Sequence, residues 1–325
     1  MFSALVMTAA MRGAARAAWR RARRGPTLPS WPWSEELFVG AFRGALYAGV
    51  RELELMSPRP KRRHATKTVR RGSLVVEDVL LDGVAATRFT PQGQLAGTIL
   101  YLHGGGFITG SVATERRPAS DQALSTRCET YSIEYRLAPR HPFPAALDDS
   151  TDAYRALLAE GADPNTTIFF GGSAGACLAL ATLLRARDMG LPMPAGAVLL
   201  WPYVDFTFSG ASIKANAEID MLPLRDLASV LGSAYVGDAD PTDPLLSPIF
   251  ADLTGLPPLL IIAGGAESLL SCAERLADNA RSVGVETQFT VYPEQIHGWM
   301  ILPKLPATIA ATNEIQAWMT RRVGQ

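Results

Sequence analysis

Excess charge is the first thing this chain of 325 residues lacks: 31 Lys and Arg balance 31 Asp and Glu, so nothing pulls it towards nucleic acid or an anionic membrane. Cysteine is scarce. Three residues without CxxC spacing give neither a disulfide framework nor a thiolate metal site, and free thiols in a reducing, cytoplasmic compartment are the simplest reading. A membrane-spanning run is missing from the N-terminus, where the apolar stretch Met1 to Met11 falls short of the roughly 20 residues a bilayer needs. Its arginines come afterwards, at 12, 16, 20, 21, 23 and 24, the reverse of a secretory signal. That segment reads either as a solvated, frayed arm or as a basic helix lying on a membrane surface. No repeat or low-complexity tract interrupts the chain. Histidine is rare too, with only four residues.

What is present is a serine in an unusual setting. Ser173 lies at the centre of Gly171-Gly172-Ser173-Ala174-Gly175, between the apolar run Thr167 to Phe170 and the helix-forming run Ala176 to Ala186. Strand, glycine-flanked serine and helix describe a nucleophile elbow, in which a tight turn lifts the hydroxyl above a sheet and leaves no room for neighbouring Cβ atoms. Upstream, the strand-like run Thr98 to Leu102 leads into His103-Gly104-Gly105-Gly106-Phe107. Glycines after a strand expose amide N–H groups, which stabilise the oxyanion formed in acyl transfer. The expected donors are Gly104, Gly105 and Gly106 together with Ala174, the residue after the nucleophile. A phosphate cradle is disfavoured because no Lys-Ser/Thr follows and no GxGxxG opens a helix here.

The base is found by elimination. His64 lies in a basic stretch, His103 begins the glycine loop and His141 sits between Arg140 and Pro142, which leaves His297 in a loop after the alternating run Thr287 to Tyr292. An imidazole titrating at about 6.5 can take the serine proton near neutrality and return it. The acid belongs after another buried strand, Pro258 to Ala263, and Glu267 in the following loop fills that place; Asp243 and Asp252 precede the strand. Serine, acid, histidine is the chain order of α/β-hydrolases. Cys177, one helical turn beyond Ser173, reads as a small buried residue.

HGGGF, GxSAG, Tyr135-Arg136-Leu137-Ala138-Pro139 with His141-Pro142-Phe143-Pro144-Ala145-Ala146, Asp243-Pro244 with Ser247-Pro248, and the late His-Gly together resemble the bacterial hormone-sensitive-lipase-like esterases over residues 98 to 300. The resemblance implies an α/β-hydrolase fold, a mostly parallel sheet with helices on both faces and a helical cap. It also implies hydrolysis of carboxylic esters of short to medium acyl chain by Ser173, Glu267 and His297, with no cofactor or metal. Three positions depart from the family pattern: Gly172 where Asp is common, Glu267 where Asp is usual, and Arg140 where Glu is frequent.

Ser34, Glu35 and Glu36 open a helix whose Leu37, Phe38, Ala41, Phe42, Ala45 and Leu46 recur at helical spacing; by resemblance it belongs to the cap. Residues 57–71 read as a linker and Leu74 to Phe89 as a hairpin turning at Asp82-Gly83. A second irregular piece, 204–246, carries one expected helix from Leu224 to Tyr235. The expected division is therefore 1–65 as N-terminal arm and cap helices, 66–203 with 247–325 as the core, and 204–246 as a second cap segment. Phe107, Trp201, Phe206, Tyr235 and Trp299 are candidates for the substrate pocket, with Phe208, Met221 and Met300; filling the cap's own core is the competing role. The partner is a small-molecule ester, the sequence is compatible with a homodimer, and amidase, acyltransferase and non-catalytic receptor remain the alternatives.

Overall fold

The computed structural model describes residues 4–53, 69–71, 73–222 and 232–324, together with 224, 228 and 230. Chain order begins with two helices, α1 (Ala4–Arg24) and α2 (Trp33–Leu53), and the short strand β1 (Val69–Arg71). Strands β2 (Leu74–Leu81) and β3 (Val84–Pro91) form a hairpin turning on Asp82 and Gly83 at φ 47° and 83°. Two successive left-handed residues are what a two-residue hairpin loop requires. Strand and helix then alternate: β4 (Gly97–Leu102), α3 (Arg116–Thr126), β5 (Cys128–Ile133), α4 (Ala145–Ala159), β6 (Thr167–Gly172), α5 (Ala174–Asp188) and β7 (Gly196–Leu200). The short helix α6 (Ala211–Ala215) precedes β8 (Leu259–Gly264), α7 (Leu270–Ser282), β9 (Thr287–Tyr292) and α8 (Pro306–Val323).

The strands make one sheet in the order β1-β2-β3-β5-β4-β6-β7-β8-β9. Antiparallel pairing ends at the β3–β5 contact, and the six strands from β5 to β9 run parallel. Parallel strands need both faces covered, and the sequence supplies both. Leu100, Leu102, Phe169, Leu199 and Ile261 join a core with Leu147, Leu157, Leu178 and Leu276 of α4, α5 and α7. The alternate residues Ile99, Ile168, Val198, Leu260 and Ile262 join a second core with Ala119 of α3 and Ile315, Trp318 and Met319 of α8. Period-2 alternation along each strand divides the apolar residues between the two layers.

The N-terminus is more ordered than a frayed arm. Helix α1 packs on α2 so closely that a Cβ on Gly13 would stand 1.9 Å from the Gly40 carbonyl oxygen, and one on Gly44 2.2 Å from that of Ala9. Arg20 and Arg21 both pair with buried Glu36 at 2.7 Å. Leu5, Met7, Met11 and Trp19 stay exposed on the outer face. Among the described residues no helix is long and apolar enough to cross a membrane. His64 and most of the segment 57–71 lie outside the described residues; its end forms β1. The helix expected over 224–235 also falls partly outside them, and its described end, Gly232–Val236, is a wide π-helical turn.

Candidate active site

Backbone geometry sets the serine. Ser173 follows β6 at φ 56°, ψ −118°, a strained conformation for a residue with a side chain. The glycines around it are demanded by close approach: a Cβ on Gly171 would lie 2.2 Å from the Gly175 carbonyl oxygen, and one on Gly175 2.0 Å from that of Leu102. Helix α5 begins at the next residue, so the Ala174 amide is a first-turn donor without an intrahelical acceptor.

Three side chains from separate loops meet here. His297 Nε2 lies 3.0 Å from Ser173 Oγ, and its Nδ1 lies 3.1 Å from Glu267 Oε2. Glu267 Oε1 accepts the Gly264 N–H at 3.1 Å. With Nε2 left to accept the serine proton, Nδ1 carries the ring hydrogen and points it at the carboxylate. Burial acts against charge on both partners. It pulls the His297 imidazole down to about 4, against the opposing field of Asp220, and pushes the Glu267 carboxyl well above its usual range, against the Gly264 N–H. The resting imidazole is thus neutral near pH 7. Asp243 and Asp252, the other acids considered, hold local turns by accepting the amides of Leu245 and Thr254.

The glycine loop lies against the serine: a Cβ on Gly104 would stand 3.8 Å from Ser173 Cβ. Gly105 and Gly106 have φ of 120° and 63°, positive values that favour glycine. The Gly105 carbonyl accepts the amides of Ile108 and Thr109, which folds the loop back on itself. Among the described residues the amides of Gly105, Gly106 and Ala174 have no backbone acceptor outside the helices and strands. Beside the loop the half-buried Glu115 carboxyl accepts the Tyr101 hydroxyl at 2.9 Å, and the Gly104 amide works against the rise that burial gives its pKa. Beneath the loop His103 is fully buried, stacks on Tyr135 at 4.1 Å and bonds the Gly104 carbonyl through Nδ1; burial lowers its pKa to about 4.

The aromatic candidates separate into two groups. Phe107 stacks on Tyr235 at 3.8 Å and packs with Phe206 at 6.0 Å, and all three are buried in the core beside α5. Trp201 and Trp299 stand at the base instead. Trp201 meets the His297 ring edge-on at 6.2 Å and Trp299 at 5.1 Å. A Cβ at position 172 would lie 3.0 Å from Trp201 Nε1, so this indole occupies the space beside Gly172. Sequence reasoning passed over Asp220, a buried acid in the second irregular segment. Asp220 accepts the backbone amides of His297 at 2.9 Å and Ser268 at 2.7 Å. Its only sequence signal is a charge inside the apolar stretch Ile219 to Leu222.

A serine on a strand-to-helix turn, facing an imidazole and a buried carboxyl at the C-terminal edge of a parallel sheet, defines an α/β-hydrolase. Comparison with known proteins agrees. A family model described as alpha/beta hydrolase fold matches residues 99–301. An acetyl-hydrolase of Streptomyces hygroscopicus is 38% identical over 72% of this chain and 79% of its own, and an esterase of Acinetobacter venetianus is 36% identical over 67% and 72%. Among solved structures, the hormone-sensitive-lipase homologue EstE7 from a metagenome library superposes with a TM-score of 0.77 at 35% identity, over 88% of this chain and 97% of that one. EstE5, soaked with p-nitrophenyl butyrate, gives 0.76 at 33% identity over 96% and 98%. The chain belongs to the hormone-sensitive-lipase-like carboxylesterase branch of the α/β-hydrolase family, and it is a serine hydrolase with carboxylic ester hydrolase activity.

Proposed function

We propose that this esterase cleaves short- to medium-chain acyl esters by two-step acyl transfer through Ser173, His297 and Glu267. The observation that carries the reading is the continuous line from Ser173 Oγ to His297 Nε2 and from Nδ1 to Glu267 Oε2, at 3.0 and 3.1 Å. His297 takes the proton as Ser173 Oγ attacks the ester carbonyl, and Glu267 stabilises the imidazolium that forms. The carbonyl oxygen, now negative, receives the amides of Gly105, Gly106 and Ala174. A single such donor contributes about 3 to 4 kcal/mol to the transition state. His297 then protonates the departing alcohol, and a water, deprotonated by the same imidazole, releases the acid from the acyl-serine.

The hairpin α1–α2 and the described residues of the segment 204–246 form the cap on this reading. Trp201 and Trp299 flank the reacting groups, and Phe107, Phe206 and Tyr235 make the wall behind the glycine loop. Three buried, unpaired cysteines fit a reducing, cytoplasmic setting. The decisive experiment replaces Ser173 with alanine. Turnover of p-nitrophenyl butyrate should fall by at least about 10⁴-fold while the melting temperature stays in place, and retained turnover would refute the assignment. An acyl-length series on the unaltered enzyme, with matching anilides and added alcohols, tests chain preference and separates ester hydrolysis from amide cleavage and acyl transfer.

A further inference from the structure

The loops that carry Glu267 and His297 leave the ends of β8 and β9, and two backbone bonds join them, the Gly265 amide donating to the Tyr292 carbonyl and the Ala266 amide to the Gln295 carbonyl, both at 2.9 Å. Further anchorage, at His297 itself and at the residue after Glu267, comes from a segment far away in sequence. The Asp220 carboxylate is fully buried; Oδ1 accepts the His297 amide at 2.9 Å and Oδ2 the Ser268 amide at 2.7 Å. Thus a single side chain ties the base to the residue after the acid. Its neighbour Asn216 donates to the Glu267 carbonyl at 2.9 Å. Asp220 bonds the His297 and Ser268 amides and not the imidazole ring or Ser173, so it neither gives nor takes the proton, although its charge favours the imidazolium.

The anchor is itself anchored. Arg43 on α2 donates through Nη1 to the Asp220 carbonyl at 2.9 Å and through Nη2 to the Ala217 carbonyl at 3.0 Å. From the other side, Trp31 Nε1 bonds the Glu294 carbonyl and the Ser30 amide bonds the Glu294 carboxylate, both at 2.9 Å, three residues before the base. The N-terminal helical hairpin therefore holds the base loop directly at Glu294 and, through Asp220, at His297.

We propose that Asp220 is a positioning residue for the esterase reaction, that Arg43 sets its place, and that the N-terminal hairpin thereby holds His297 in register with Ser173. This inference rests on the Ser173–His297–Glu267 reading. Its physical basis is the sensitivity of proton transfer to placement, since a shift of about 1 Å costs on the order of a hundredfold in rate. A carboxylate can accept two amides at once, whereas a primary amide has a single acceptor oxygen and must turn its NH₂ towards the other donor.

The test uses the full chain with Asp220→Asn, Arg43→Met and Arg43→Lys, measuring kcat and KM on p-nitrophenyl butyrate, the rate of Ser173 phosphonylation by an activated phosphonate, and thermal melting. Asp220→Asn is expected to lower kcat and the phosphonylation rate together by about 10- to 100-fold, with KM changed by less than about threefold. Arg43→Met should lower both rates by about three- to tenfold, with Arg43→Lys in between because it retains one of the two carbonyl contacts. A folded Asp220→Asn protein with unaltered kcat, or with a raised KM alone, overturns the proposal. If Asp220→Asn does not fold, the Arg43 pair decides: lowered rates in a folded Arg43→Met protein support it and unaltered rates overturn it. Full activity in Ser173→Ala would instead overturn the esterase mechanism, so the two failures are distinguishable.

Discussion

Replacing Glu267 with glutamine separates catalysis from stability at this site. The carboxylate uses both oxygens, Oε2 facing His297 Nδ1 at 3.1 Å and Oε1 accepting the Gly264 amide at 3.1 Å. Glutamine has the same shape but a single acceptor. If its NH₂ faces Gly264, two donors oppose each other; if it faces His297, Nδ1 must become the acceptor and the ring hydrogen moves to Nε2, the atom needed to take the Ser173 proton. A wrong-tautomer substitution of this kind lowers kcat by roughly 10⁴-fold, equivalent to about 5 kcal/mol of transition-state stabilisation. The fold should not suffer, because burial disfavours the charged carboxyl and the amide removes that charge without opening a cavity. We therefore expect p-nitrophenyl butyrate turnover to fall by about four orders of magnitude, with a melting temperature equal to or above that of the parent. Glu267→Asp, shorter by about 1.5 Å, should sit between parent and amide. Turnover within tenfold of the parent in Glu267→Gln would sink the assignment, as would a collapse of stability matching the loss of rate.

Two further outcomes follow from the same geometry. With His297 held down to about 4 by burial, the protonated, inactive imidazole accumulates only as pH falls through that value, so kcat/KM should stay level from neutrality to about pH 5 and decline below it; a limb centred at the ordinary imidazole value of about 6.5 contradicts this. Gly172→Asp brings a Cβ to 3.0 Å from Trp201 Nε1 and should destabilise by about 1 to 3 kcal/mol. Trp201→Ala should recover part of that loss in a double-mutant cycle, and strictly additive losses would show that the two positions are independent.

The elements legible in the sequence are those in which local backbone geometry dictates residue type. Glycines at 171 and 175 are readable because a Cβ there would strike a carbonyl oxygen, and those at 105 and 106 because of their left-handed backbone. Asp82-Gly83 announces its hairpin for the same reason. Tertiary pairings are illegible. Nothing near Gly172 reveals that Trp201, from the next strand of the sheet, fills the space beside it, and nothing near Asp220 points to an amide 77 positions later. The α1–α2 contact belongs to this second class: Gly13, Gly40 and Gly44 have meaning only once the helices face each other. Arginine-rich composition described the segment as solvated or surface-seeking, while packing decided its conformation.

Sheet order explains why the base needs outside support. In the consecutive neighbours β4, β6, β7, β8 and β9, all strands run the same way, so their following loops present the glycine loop, Ser173, Trp201, Glu267 and His297 along one edge. Strands lie about 4.8 Å apart, which places β9 roughly 14 Å from β6. The loop after β9 must therefore reach back over β8 and β7 before Nε2 can stand 3.0 Å from Ser173 Oγ. Glu267, arising from β8 on the way, can meet Nδ1 because the returning histidine passes over it. Within this five-residue reach the backbone is tied to the β8 loop at Gln295, whose carbonyl accepts the Ala266 amide at 2.9 Å, and Trp31, Ser30 and Asp220 add contacts on either side of it, at Glu294 and at His297 itself. The precision of the proton relay is thus set as much by groups outside the parallel sheet as by the strands that carry its members.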